Sequence, residues 1–386
     1  MNHLRQPSTY AEINLKAIEH NLKELRRLAG RNTFTLLRRR LRTPVQILAV
    51  IKADAYGHGM IEVAKLLTQE KINHFAVSDV TEGVRLRAAG FKQSILLFES
   101  TLPSDVKDIA DYQLTPTVCT LEFATELNQY AQEIGRRIPI HIKVDTGMGR
   151  LGIWHTEAFD FIKNVANLRS LLIEGIYTHF PVADTDAKFT TRQIQYLYEL
   201  VTRLDKTGLI IPYIHAANSM GLAGYKTHIL NLVRPGLMIY GLYPDEGLKK
   251  KIHLKPAMSV KSKIIFLKDI EAGCSVSYGR TFMARRRMTV ATIPLGYNDG
   301  YPRLLSNKGH VVIEGHRCPI LGRVTMDQTV VDVSRVKDVH LEMPVTVVGE
   351  NDGQDISLDE LSQHVGTINY ELACSLGNRL PRKFLV

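Results

Sequence analysis

One stretch of this chain combines residue types that could do chemistry: Ala49-Val-Ile-Lys-Ala-Asp-Ala-Tyr-Gly-His-Gly59. Ala49 to Ile51 close a strand-like run that begins at Val45, and Lys52 stands where that strand should end. A lysine in a core position loses the hydration of its ammonium unless it is paired. A desolvated lysine also titrates low and can form a Schiff base with a carbonyl cofactor. In the turn that follows, Tyr56 offers a hydroxyl that could donate to a phosphate, and Gly57 and Gly59 let backbone approach closely. Taken alone, the stretch is also compatible with a strand-end lysine that simply reaches solvent.

The elements that must position Lys52 recur along the chain. Tyr10 to Leu15 alternates in a strand-like way, and Lys16 to Leu28 places Ala17, Ile18, Leu22, Leu25 and Leu28 at helical spacing. Residues 30–43 read as an irregular basic insertion. Short apolar strands then follow at 45–51, 74–78, 94–98, 114–118, 139–144, 171–178, 213–216 and 231–235. Helical patterns at Ile61–Leu67, Glu82–Ala89, Leu121–Ile134 and Thr191–Leu204 fill most gaps. Strands alternating with helices imply parallel pairing, and eight of them imply a TIM-like (β/α)8 barrel, here over residues 10–250. Active sites of such barrels sit beyond the carboxyl ends of the strands. The unusual polar residues fall there: Lys52, Lys143, Arg150, His179, Asn218-Ser219 and Arg234-Pro-Gly236. After about residue 250 the texture changes to strands such as Ser259–Phe266, Met288–Ile293, His310–Ile313 and Val345–Val348, with one helical pattern at Ser357–Val365. The reading is a mostly-β second domain over 251–386, with residues 1–9 expected to pack on it.

Composition narrows the class. A chain of 386 residues with 45% hydrophobic and 23% charged residues is an ordinary globular protein of two domains, or a barrel with an appendage. No apolar run has the length of a membrane span, and Met1-Asn-His-Leu-Arg-Gln-Pro-Ser lacks the apolar core of a signal peptide. Cys119, Cys274, Cys318 and Cys374 are scattered without metal spacing, which suits free thiols in a reducing cytoplasm and no metal site. The formal charge of +10 sits in bursts at Arg38–Arg42, Lys249–Lys251 and Arg285–Arg287. These fall in expected loops without interleaved aromatics, which argues against a nucleic-acid partner. Steering of a small anionic substrate is the better use of such a field.

With Lys52, Tyr56 and Gly236 on one face, the barrel has the parts of a pyridoxal-phosphate site, and here the chain resembles the alanine racemase family, fold-type III pyridoxal-phosphate enzymes. The resemblance runs from about Tyr10 to Phe384. It rests on Val50–Gly59, Lys143-Val-Asp-Thr-Gly-Met-Gly-Arg-Leu-Gly152, Tyr177-Thr-His179, Arg234-Pro-Gly236, Val276-Ser-Tyr-Gly279, Gly296-Tyr-Asn-Asp-Gly-Tyr301 and Met326-Asp-Gln328. It implies that Lys52 carries pyridoxal 5'-phosphate and serves as one base, with Tyr278 as the other. Racemisation needs such a pair, because a proton leaves one face of the α-carbon and another arrives on the opposite face. In the family that tyrosine comes from the other subunit, which implies a homodimer with shared sites. Arg234 would face the pyridine nitrogen and disfavour its protonation. His179 would pack on the ring. Tyr56, Ser219, Gly236 and Leu237 would hold the phosphate, with Asn218 adjacent. Arg150 would bind the substrate carboxylate, completed by Met326 and Asp327. Lys143 occupies the family's carbamylated position. Asp184, Tyr297, Arg303 and Arg323 match the polar corridor leading to the site.

Three departures stand out: the insertion, Thr325 where many members have cysteine, and Asn378 where alanine-specific members often have tyrosine. Asparagine is smaller and offers an amide, so a hydroxymethyl side chain could be held there. The expected activity is interconversion of L- and D-alanine, supplying D-alanine for peptidoglycan, with a broad or serine-preferring racemase as the alternative. A non-catalytic cofactor carrier lacks the β domain that holds Tyr278, and a barrel decarboxylase is disfavoured by Arg234.

Overall fold

A computed structural model describes residues 7–30, 33–35, 42–225, 228–376 and 379–386. Eight parallel strands form the barrel: Gln46–Val50, His74–Val77, Ser94–Ser100, Thr115–Val118, Ile138–Asp145, Leu171–Tyr177, Tyr213–His215 and Leu232–Val233. The first seven lie side by side in chain order, and the eighth pairs back onto the first. Asn231 closes the remaining seam. Its backbone N–H donates to Ile214 O at 3.1 Å, its side-chain Oδ1 accepts from Ile214 N at 2.8 Å, and Arg234 N donates to Ala217 O at 2.8 Å.

Side chains alternate across a strand, and this parity sets the site. In the first strand Ile47, Ala49 and Ile51 face the surrounding helices, whereas Leu48 and Val50 join Ala76, Leu96 and Leu232 in the barrel interior. Lys52 is next on the interior side. The same parity sends His141 and Lys143, Tyr177, His215 and Arg234 inward from the later strands.

The helices that fill the gaps carry their own start signals. Asn14, Asp79, Thr120 and Asp186 each cap a helix by accepting a backbone N–H three residues on, at Leu15–Ala29, Val80–Ala88, Leu121–Glu133 and Ala187–Lys206. Within the insertion Thr33–Thr35 pairs with Arg42–Pro44 as a short antiparallel ribbon, and its basic run at 36–41 lies outside the described residues.

Beyond the barrel the chain builds a seven-stranded sheet and a three-stranded sheet, Phe266–Ile270, Met288–Ile293 and Thr329–Asp332. Tyr10–Asn14 belongs to the larger sheet and not to the barrel. It pairs antiparallel with Met258–Lys263 and parallel with Arg382–Leu385. Its alternation buries Ala11 and Ile13 against that sheet's core, a one-sided pattern that an all-parallel barrel strand lacks. Just before it, Thr9 Oγ1 donates to Pro294 O at 2.7 Å and lies 2.7 Å from Ser262 Oγ. Two helices, Leu358–Val365 and Asn369–Ser375, complete the domain. Among the described residues no helix is long and apolar enough to cross a membrane, and no cluster of His, Cys, Asp or Glu could hold a metal.

Candidate active site

A cavity of about 510 Å³ opens at the carboxyl end of the barrel. Lys52, Tyr56, Lys143, Arg150, His179, Asp184, Asn218, Ser219, Arg234, Gly236 and Leu237 all border it. Its charge is lopsided: Lys52, Arg150 and Arg234, with the buried Lys143 amine among them, face a single carboxylate, Asp184. Such a cavity favours an anionic occupant.

Lys52 begins an unusual turn. Ala53, Asp54, Ala55 and Tyr56 have φ of +52°, +52°, +57° and +52°, one turn of left-handed helix built without glycine. Each such residue costs roughly 1–2 kcal/mol, so the surroundings must hold it. The Glu82 carboxylate accepts Ala53 N–H at 2.7 Å and Ser78 N–H at 2.8 Å, and Asp54 Oδ1 accepts Met60 N–H at 2.9 Å. Inside, Tyr240 stacks on His58 with centroids 4.5 Å apart and donates its hydroxyl to Val50 O at 2.9 Å. Burial holds the His58 imidazole neutral, its pKa lowered to about 4.

At one corner Tyr56 reaches Gly236. A Cβ on residue 236 would sit 2.6 Å from the Tyr56 hydroxyl, so glycine is required by close approach. Ser219 Oγ, buried beside it, accepts Gly236 N–H at 3.2 Å and Met238 N–H at 3.4 Å. Asn218 Oδ1 caps the Ser219–Gly224 helix by accepting Gly221 N–H at 2.9 Å. Hydroxyl and amide donors at this corner suit a phosphate, and the excess of cations suits its charge.

Arg234 is 3% exposed and fixed by its donors. Nη2 donates to Thr178 O at 2.8 Å and Ala216 O at 2.9 Å, and Nη1 donates to His215 Nδ1 at 3.0 Å. Because a guanidinium only donates, His215 must carry its proton on Nε2. It therefore donates to His141 Nδ1 at 2.8 Å, which places the His141 proton on Nε2. Burial lowers the His141 pKa to about 3 and that of His215 well below its usual range, so both rings are neutral. Burial also lowers Arg234, but only to about 10, so it remains a cation. Tyr177 stacks on His215 with centroids 4.7 Å apart. His179, half-buried, is held neutral first by desolvation and then by Arg234, its pKa lowered to about 2.

Lys143 is 4% exposed, and its Nζ lies 4.4 Å over the Tyr177 ring. Burial first, then Arg234 and Arg150, push its pKa well below the usual lysine range. The nearby Asp145 does not neutralise it by pairing. Its carboxylate instead accepts the N–H groups of Gly147, Met148 and Gly149 at 2.8, 2.9 and 2.9 Å, shaping the loop that presents Arg150.

The remaining candidates lie apart from this cavity, on the β domain. Tyr278, Met326 and Tyr297 are 74%, 53% and 43% exposed. They form one cluster: Ser277, at φ +63°, turns Tyr278 outward while its Oγ donates to Arg323 O at 2.6 Å. Tyr297 N donates to Thr325 O and Asn298 N to Met326 O, each at 3.0 Å, and Asp327 Oδ1 pairs with Arg379 at 2.6 Å. Arg303 is exposed on the short Arg303–Leu305 turn. Asn378 lies outside the described residues.

Other wall residues were given no role from sequence, Tyr177 being named only within the Tyr177-Thr-His179 motif. Phe98, Tyr177, Ile368 and Tyr370 border the cavity, and His141 and His215 support Arg234. A signal existed for three of them: His141, Tyr177 and His215 interrupt apolar strands on the interior parity. Ile368 and Tyr370 come from the second domain of the same chain and give no local sign.

The chain matches the family model "Alanine racemase, N-terminal domain" over residues 13–244 and "Alanine racemase, C-terminal domain" over residues 257–384. It is 40% identical to the alanine racemase of Halothermothrix orenii, covering 97% of this chain and 96% of that one. The structure of the alanine racemase of Clostridium difficile 630 superimposes with a TM-score of 0.91 at 34% identity, covering 99% and 96% of the two chains. The alanine racemase of Bartonella henselae, with covalently bound pyridoxal phosphate, gives a TM-score of 0.83 at 28% identity over 98% and 100%.

Proposed function

This chain belongs to the alanine racemase family, and on that premise we propose that it interconverts L- and D-alanine on pyridoxal phosphate carried by Lys52. The observation that carries the reading is a cavity in which Lys52, Arg150 and Arg234 face one carboxylate, Asp184, while Tyr278 stands exposed on a separate face. Bound there, the cofactor supplies an electron-withdrawing ring that makes the substrate α-proton acidic.

Every other part of the task falls to the chain. Tyr56, Ser219 and the backbone at Gly236 and Leu237 bind the phosphate, with Asn218 fixing the start of the Ser219 helix. Arg234 is a donor toward the pyridine nitrogen. Three of its N–H contacts are already committed to Thr178, Ala216 and His215, and at neutral pH it keeps its proton. A ring nitrogen left unprotonated is a weaker electron sink, which restrains side reactions. His179, neutral, packs against the ring. Lys52 Nζ takes or gives the proton on one face of Cα. The hydroxyl of Tyr278 of the partner subunit serves the other face. Arg150 holds the substrate carboxylate, completed by the backbone of Met326 of the partner subunit, with Asp327 of the partner subunit beside it. Asp184 lies on the approach with Tyr297, Arg303 and Arg323.

The buried Lys143 amine can add to carbon dioxide and release one proton, giving a carbamate anion that orients Arg150. A homodimer with shared sites is supported by the exposed Tyr278, Tyr297, Met326 and Leu304 on one domain. D-alanine would serve peptidoglycan synthesis.

The test is enantiomer analysis after the cofactor-loaded protein meets L-alanine and, separately, L-serine. D-alanine should dominate, and Lys52→Ala should abolish it. D-serine in equal or greater yield would replace the alanine assignment. No D-product with cofactor bound would leave a carrier.

A further inference from the structure

The left-handed turn after Lys52 is held from one side by its own neighbours and from the other by a strand more than 300 residues away. Arg382 Nε donates to Gly57 O at 2.8 Å, and its Nη2 lies 3.1 Å from Asp54 Oδ2. The Arg382 stem and the Phe384 ring cover Gly59 so closely that a Cβ there would meet them at 3.2 and 2.8 Å. The carbonyl of Ala373 packs on Gly57, where a Cβ would come within 2.2 Å of it. Arg382 is itself placed by strand pairing, opposite Ala11 in the parallel ladder with Tyr10–Asn14.

Asp54 has a second cation, Arg85, but at 3.8 Å and more than half exposed, whereas the Arg382 side chain is 17% exposed. Arg382 is thus the one of the two that also grips the turn's backbone. A guanidinium forks between two acceptors in fixed geometry. Here one arm, Nε, hydrogen-bonds the carbonyl that ends the left-handed turn, while the other, Nη2, forms an ion pair without hydrogen-bond alignment to a carboxylate within it. Release of that grip removes one of the restraints on a conformation the residues themselves disfavour.

From this geometry we infer that Arg382 is a positioning residue for Lys52: docking of the β domain sets the orientation of the lysine through the Arg382 fork. The inference rests on the proposed role of Lys52 as the cofactor-bearing residue.

The experiment compares binding of pyridoxal phosphate, which bonds to Lys52 through its aldehyde, with pyridoxamine phosphate, which has no aldehyde and binds through phosphate and ring alone. Arg382→Met keeps the stem over Gly59 and removes the fork. It should weaken pyridoxal phosphate by about tenfold, the loss expected for one charge-assisted hydrogen bond. The pyridoxamine phosphate affinity should change less than twofold, and the absorption band of the lysine-bound aldehyde should fall in step. Arg382→Lys should restore part of the loss. Asp54→Asn, which keeps the acceptor for Met60 N–H but removes the charge, provides a second variant should Arg382→Met not fold, and it should show a smaller shift of the same kind. Equal weakening of both ligands, or of neither, overturns the role of Arg382. A wild-type protein that forms no lysine-bound aldehyde would instead overturn the proposed function itself.

Discussion

Gly236→Ala is the substitution with the sharpest structural expectation. Residue 236 has φ −123°, away from the left-handed region, so the obstacle is steric. The new Cβ would fall 2.6 Å from the Tyr56 hydroxyl, 3.1 Å from its Cζ and 3.3 Å from its Cε2. The ring cannot easily retreat, because Tyr240 lies against it with centroids 5.2 Å apart. Overpacking of this kind costs about 1–3 kcal/mol, and the oxygen contact places Gly236→Ala toward the upper end. In a Tyr56→Phe background the nearest atom becomes the ring carbon at 3.1 Å, a contact that a few tenths of an ångström relieves. The same alanine should then cost about 1 kcal/mol, leaving a coupling of roughly 1–2 kcal/mol in the double-mutant cycle. Urea unfolding of the cofactor-free protein and titration with pyridoxal phosphate read the two sides of this effect. The affinity side should show about a 5–30-fold coupling. An alanine penalty equal in both backgrounds would refute the argument that the hydroxyl fills the space Gly236 leaves.

Four further outcomes follow from the geometry. Gly57→Ala, at φ +78° and with its Cβ 2.2 Å from a backbone carbonyl, should cost about 3 kcal/mol or more, whereas Gly135→Ala, at φ +63° in open space, should cost about 1 kcal/mol, both read by urea unfolding. His141 has a folded pKa of about 3 against a usual 6.5, so the unfolded chain takes up its proton first as pH falls. Stability is therefore lost as pH drops below 6.5, and His141→Gln should flatten that slope by up to one proton, about 1.4 kcal/mol per pH unit, in unfolding measured between pH 6 and 4.5. Turnover of protein stripped of carbon dioxide should rise on adding bicarbonate, and Lys143→Met should be low and indifferent to it. Mixing Lys52→Ala with Tyr278→Phe subunits, each inactive alone, should restore about one quarter of wild-type activity after random exchange, since each mixed dimer has one intact shared site; no recovery would place both residues in one chain's site.

Much of the barrel was legible because its strands are short apolar runs separated by strong helical patterns. All eight strand positions fall within a few residues of the observed ones. Lys52, Lys143, His179 and Arg234 stood out as charged or titratable groups at strand ends, and all border the cavity. What the residues could not convey was tertiary in origin. Ala53-Asp-Ala-Tyr56 contains nothing that demands positive φ, and contacts made in the fold, those of Glu82, Asp54 and Arg382 among them, make that turn tenable. Tyr10–Asn14 has the alternation of any half-buried strand, and its partners lie about 250 and 370 residues away. The histidines behind Arg234 sit in runs apolar enough to pass for core.

The pairing of Tyr10–Asn14 with Arg382–Leu385 has a consequence for the order in which the molecule can be made. Glu12 and Lys383 are 371 residues apart. At ribosomal rates of about 5–20 residues per second, roughly 20–70 s separate their synthesis. Through that interval the barrel strands can associate as they emerge, yet the strand Tyr10–Asn14 waits with both edges unpaired until Met258–Lys263 is made and with one unpaired after that. The turn bearing Lys52 waits with it, since its outer support arrives on the same late strand. A nascent chain can thus own a finished barrel and still have a loose lysine, and exposed strand edges of this kind are where newly made chains aggregate. Chaperone demand during synthesis should therefore peak late, between completion of the barrel and arrival of Arg382.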